Sequence, residues 1–109
     1  MLVHKETDLL ERILTECEDD YVGLWSILRQ VREARYPQPK AVTLALLRYL
    51  LSTGIVEAGE PDSNGGFQVW KTSADETMSR ITSEWSALGH DPDLGDIAWF
   101  TTPVRAGRP

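Results

Sequence analysis

The chain predicts an α+β fold, and three observations carry that prediction. Residues 7–51 hold three apolar runs at helical spacing. Residues 60–66 read Glu-Pro-Asp-Ser-Asn-Gly-Gly, strong turn chemistry between two short β-prone segments. Residues 73–76 read Ser-Ala-Asp-Glu, a capping box that opens a fourth amphipathic run.

Each element follows from its own residues. Thr7 is placed to cap a first helix running to about Cys17, with Asp8 and Glu11 suited to the positive end of its dipole. Leu9, Leu10, Ile13, Leu14 and Cys17 form its apolar face. An acidic break of Glu16, Glu18, Asp19 and Asp20 follows, and Asp19 or Asp20 is placed to open the next helix. That helix is expected from Tyr21 or Val22 to Arg35, with Leu24, Trp25, Ile27, Leu28 and Val31 inward. Tyr36-Pro37-Gln38-Pro39 ends it, and Pro39 fits the first turn of a third helix. The third helix is apolar over most of its circumference, which predicts the most buried helix of the fold, and Gly54 supplies its stop.

Ile55 to Ala58 reads as a strand, and Phe67 to Lys71 as its antiparallel partner across the 60–66 turn. In the fourth helix Met78, Ile81, Trp85 and Leu88 make one stripe, and Gly89 ends it. Ile97 to Thr101 reads as a last strand. Three helices followed by a hairpin is the winged-helix order, with helix three in the recognition position and the turn as wing. The expected fold is therefore α+β and winged-helix-like: three N-terminal helices, a β-hairpin wing, then a fourth helix and a C-terminal strand. Residues 1–102 are read as a single domain and 103–109 as a flexible C-terminal tail.

Composition narrows the function classes. The 109 residues carry 17 Asp and Glu against 11 Lys and Arg, a net charge of −6. Nucleic-acid binders are usually basic, because neutralising phosphates supplies much of their affinity. An acidic chain instead favours a basic protein partner. With one cysteine there is no internal disulfide and no cysteine-based metal site. No stretch approaches the length of a membrane span, and the N-terminal residues carry no cleavage signal, so the expected location is cytoplasmic, with no membrane partner.

Three segments carry a family likeness: Asp20-Tyr-Val-Gly-Leu-Trp25, Gly65-Gly-Phe67 with Trp70 beyond it, and Glu84-Trp-Ser-Ala-Leu-Gly-His-Asp-Pro-Asp-Leu-Gly-Asp-Ile-Ala-Trp-Phe100. Together they resemble a family of small uncharacterised bacterial winged-helix-like proteins, over about residues 19–102. The resemblance implies a bacterial, cytoplasmic, globular protein and transfers no functional residues. Some small acidic proteins of this kind accompany toxin genes as immunity factors.

Two surfaces compete for a functional role. The acidic one gathers Glu16, Glu18, Asp19 and Asp20 with Glu60 and Asp62 of the wing, and suits a basic protein such as a toxin or regulator. The basic one is Arg29, Arg32 and Arg35 on helix two, extended by Lys40, Thr43 and Arg48, and would serve nucleic acid. The wing carries no cation, which weighs against the second. His90, Asp91, Asp93 and Asp96 fail the calcium-loop spacing, because glycine at the sixth position and glutamate at the twelfth are both missing. Asp91 or Asp96 is expected to fix its loop by accepting amide protons. Cys17 is expected as a buried thiol. No nucleophile elbow or phosphate-cradling loop appears. Of the four tryptophans, Trp70 or Trp99 is the candidate half-exposed interface anchor. The expectation is a non-enzymatic protein-binding domain, an immunity or regulatory protein that occludes a basic partner surface, using no cofactor, metal or catalytic residue. The alternative is a winged-helix DNA-binding transcription regulator.

Overall fold

The computed structural model describes residues 4–107. Among these residues the fold is mixed α+β, with four helices and one four-stranded antiparallel sheet. The elements run α1 (His4–Asp19), β1 (Val22–Gly23), α2 (Leu24–Glu33), α3 (Pro39–Ser52), β2 (Glu57–Pro61), β3 (Phe67–Val69), α4 (Ala74–Leu88) and β4 (Trp99–Thr101). No helix among them is long and apolar enough to cross a membrane.

The sheet order is β1-β4-β2-β3. β4, the last strand along the chain, therefore lies inside the sheet and joins the hairpin to β1. Val22, Phe100 and Ala58 are register partners and form one row that points into the core. The adjacent row, Gly23, Trp99 and Gly59, points to the opposite face, because side chains alternate along a strand. The core behind the first row is built from Leu9, Ile13 and Cys17 of α1, Leu24, Ile27, Leu28 and Val31 of α2, Leu47 and Leu50 of α3, and Met78, Ile81 and Trp85 of α4.

Several boundaries differ from expectation, each for a local reason. α1 begins at His4, so Thr7 lies within the helix and does not cap it; nothing in His4 to Glu6 interrupts helical backbone. Neither Asp19 nor Asp20 opens α2. Asp19 is the last residue of α1, and the Asp20 carboxylate accepts the Tyr21 amide instead, at 2.7 Å. The N-cap of α2 is Gly23, in extended conformation, because Val22 and Gly23 pair with β4 and the Leu24 amide donates to the Ala98 carbonyl at 3.0 Å. Two residues are too few for any periodicity to announce, so β1 was invisible in sequence. α2 ends at Glu33, since Arg35 takes a left-handed φ of 64°. β2 starts later than Ile55, because the Ile55 and Val56 amides both turn back to the Leu50 carbonyl at the end of α3. β4 starts later than Ile97, which has φ of 69° and sits at the centre of a tight turn closed by the Ala98 amide on the Asp96 carbonyl, at 2.9 Å.

The most buried helix is α2, not α3. α2 buries Leu24, Ser26, Ile27, Leu28, Gln30 and Val31, whereas α3 buries only Thr43, Leu46, Leu47 and Leu50. Apolar residues wrap around α3, but its neighbours α2 and α4 leave Ala41, Ala45 and Tyr49 in solvent. α4 forms as its sequence demands. Ser73 accepts the Glu76 amide, Glu76 accepts the Ser73 amide, and Gly89 closes the helix at φ of 78°. Holding that charged form in the capping box keeps the Glu76 carboxyl below the usual carboxylate range.

Candidate functional site

Acidic side chains collect at the C-terminal end of α1. Its last turn holds Glu16, Glu18 and Asp19 and no basic residue. The partial negative charge of a helix C-terminus disfavours that arrangement. Glu16 is restrained by the Gln30 side-chain amide, which donates to it. Glu18, Asp19 and Asp20 are exposed, and among the described residues no ion pair reaches them. A cleft of about 250 Å³ opens here, lined by Glu16, Asp19, Asp20, Tyr21, Trp25 and Ser26.

The cleft borders the sheet face that turns away from the core. Trp25 was expected inside, but Leu24, Ile27, Leu28 and Val31 already fill the inner side of α2. Its ring instead lies over Gly23, where any Cβ would overlap it, and meets Trp99 edge-on at 5.1 Å between centroids. The Phe67 ring similarly lies against Gly59. Tyr21 packs on Phe67 at 4.9 Å, and its hydroxyl donates to the Gly65 carbonyl at 3.1 Å. The loop after α1 and the β2–β3 turn, distant in sequence, thus meet through Tyr21. The guanidinium of Arg105 lies 5.5 Å above the same ring.

The carboxylates of the β2–β3 hairpin serve different ends. Asp62 turns inward and accepts the amides of Gly66 at 2.8 Å and Asn64 at 2.9 Å. Those bonds, Gly66 first, hold its carboxyl below the usual range. Glu60 lies 3.7 Å from Arg80, which also grips Glu84 at 2.7 Å and stacks 3.6 Å over Trp70. Trp70 and Trp99 are both half-buried.

The basic residues of the alternative surface have separate partners. Arg32 pairs with Asp91, Arg48 pairs with Asp75 at 2.9 Å, and the Lys40 ammonium lies 5.2 Å over Trp85. Thr43 is completely buried in α3, whereas Arg29 and Arg35 are exposed.

In the loop before β4, the Asp96 carboxylate accepts the Asp93 amide at 2.8 Å, a loop-fixing bond of the expected kind. Asp91 takes a different role, accepting the indole N–H of buried Trp85 at 3.3 Å as well as the Arg32 guanidinium. Together with His90 it lines an open depression beside Lys40 and Trp85. Among the described residues no three His, Cys, Asp or Glu side chains converge so as to hold a metal ion. Cys17 is fully buried, and burial, reinforced by the charges of Glu16 and Glu18, pushes its thiol pKa up to about 12. The thiol therefore stays protonated at neutral pH and is a poor nucleophile.

Neither Tyr21 nor Arg105 stands in a local pattern that predicts their contact. A tyrosine directly after an acidic run, with a glycine two residues on, was the signal available. Comparison of the chain with protein-family models, with curated proteins and with solved structures finds no match.

Proposed function

We propose that this is a non-enzymatic protein-binding domain of winged-helix-like plan. In this reading its acidic end covers a basic surface on a protein partner. One observation carries the reading: Glu18, Asp19 and Asp20 face solvent without an ion-pair partner among the described residues, beside the ring-lined cleft of Tyr21 and Trp25. Negative charge gathered at the wrong end of a helix costs stability, and a cationic partner would recover that cost on binding. Aromatic rings next to such charge provide the apolar centre that binding surfaces use. The reading extends to an immunity or regulatory role in the cytoplasm, with a basic toxin or regulator as the partner class that the net charge of −6 favours.

The test is affinity capture at low salt from extracts of the source cell, using the wild type and the variant Glu18→Gln/Asp19→Asn/Asp20→Asn. A basic protein retained by the first and lost by the second, with both equally folded by circular dichroism, is the expected result. Equal retention by both removes the acidic end from the interface.

The order of elements favours a second reading, a DNA-binding regulator using Arg29, Arg32, Arg35, Lys40, Thr43 and Arg48. The pairing of Arg32 and Arg48 with carboxylates and the burial of Thr43 weigh against it. Duplex DNA binding that falls steeply with salt, and falls further on Arg29→Ala/Arg35→Ala, would put this reading first.

A further inference from the structure

The Arg105 contact indicates the chemistry of the partner. Tyr21 is fixed at two points, by its hydroxyl on the Gly65 carbonyl and by its ring on Phe67. Its ring is therefore a pre-oriented surface, and a guanidinium from the chain's own C-terminal segment already lies over it within cation–π range. That segment is a hydrogen-bonded turn, with the Ala106 amide on the Thr102 carbonyl at 3.0 Å and the Gly107 amide on the Val104 carbonyl at 3.0 Å. Glu18, Thr102, Val104 and Arg105 line one cleft of about 440 Å³, so a carboxylate shares the space with the guanidinium. No ion pair of 4.0 Å or less joins Glu18 to Arg105 among the described residues, which leaves the carboxylate open to a second cation.

We infer that the Tyr21 ring, with Asp19 and Asp20 in its own cleft and Glu18 in the adjoining cleft of Arg105, is a subsite for an arginine side chain of the protein partner, and that Arg105 occupies it until the partner displaces it. The inference rests on the protein-binding reading above and specifies that site. Arginine fits better than lysine because its planar guanidinium stacks on a ring while its fork reaches a carboxylate. A compact ammonium makes one of these contacts at a time. Occupation by Arg105 lowers the apparent affinity for an incoming arginine, since the two compete for one surface.

The experiment uses the full chain and two synthetic probes, a nona-arginine and a nona-lysine peptide, titrated at low salt with binding read by calorimetry. Nona-arginine is expected to bind about tenfold more tightly than nona-lysine. Arg105→Ala, an exposed substitution that leaves the core untouched, is expected to tighten nona-arginine binding roughly threefold, the size of one exposed cation–π contact. Tyr21→Leu is expected to erase the preference for arginine, and Tyr21→Phe, which keeps the ring and loses only the hydroxyl, to retain it. Equal binding of both peptides, weakened alike by Glu18→Gln/Asp19→Asn/Asp20→Asn, overturns the arginine subsite and leaves the acidic binding surface standing. An Arg105→Ala variant with unchanged affinity likewise overturns the displacement. Failure of both peptides to bind the wild type removes the subsite together with the reading beneath it.

Discussion

The Thr101 hydroxyl donates to the Cys17 carbonyl at 2.9 Å in full burial, and so ties the interior strand β4 to the last turn of α1. The same oxygen lies 3.3 Å from the Asp20 carbonyl, and the Thr102 amide reaches the Cys17 carbonyl at 3.3 Å. The Cys17 carbonyl, which the helix end leaves without an intrahelical partner, is thereby satisfied. Thr101→Val preserves shape and removes the donor. It should cost about 1–2 kcal/mol by urea denaturation, with the acidic loop exchanging its amide hydrogens faster. An unchanged midpoint would show that the Thr102 amide alone suffices.

Trp85 and Asp91 form a second tie. The indole is buried in the core, and its N–H exits to a carboxylate that also holds Arg32. Trp85→Ala should cost about 3–5 kcal/mol through the cavity it leaves, a large share of a domain's stability. Asp91→Asn keeps an acceptor for the indole and loses only a half-exposed ion pair, so it should cost less than about 1 kcal/mol. Thermal denaturation of the two variants checks the ordering.

Cys17 makes stability pH-dependent at the alkaline end. Its thiol pKa is raised from 9.0 to about 12 in the fold, so between those values the folded chain holds a proton that the unfolded chain has released. Stability is full below the lower value and falls as pH rises toward the upper one, by at most about 1.4 kcal/mol per pH unit. Cys17→Ala should flatten that slope in denaturation curves taken across the range. Iodoacetamide should modify the thiol only after urea is added.

Gly59 and Gly23 separate two kinds of crowding. A Cβ at Gly59 would meet the Gln68 carbonyl, which is backbone in the paired strand and cannot move without breaking the hairpin. Gly59→Ala should therefore cost about 1–3 kcal/mol. At Gly23 the atoms nearest to an added Cβ all belong to the Trp25 ring, a side chain and not backbone. Gly23→Ala should cost less, and near-ultraviolet circular dichroism should report the loss of the Trp25–Trp99 contact.

Much of this fold was readable in the residues. The capping box at Ser73, the Gly89 stop and the Pro39 start each act through local chemistry, and all three stand where the sequence put them. What escaped depended on partners far along the chain. Val22 and Gly23 become a strand only because Phe100 and Trp99 lie beside them. Trp25 sits on the outer sheet face only because Gly23 leaves room. The site was legible as charge, since the acidic run is explicit in sequence. Its aromatic half was not, because Tyr21 gains its meaning from Gly65, Phe67 and Arg105, which no local pattern connects to it.

The strand order carries a consequence for synthesis on the ribosome. β1, β2 and β3 all emerge from the exit tunnel before β4, yet β1 and β2 have no common neighbour until β4 arrives. A nascent chain of which only residues 1–95 have left the tunnel would expose two unzipped backbone edges, so a chaperone that shields such edges should engage this chain at that stage and let go once Phe100 slots between Val22 and Ala58.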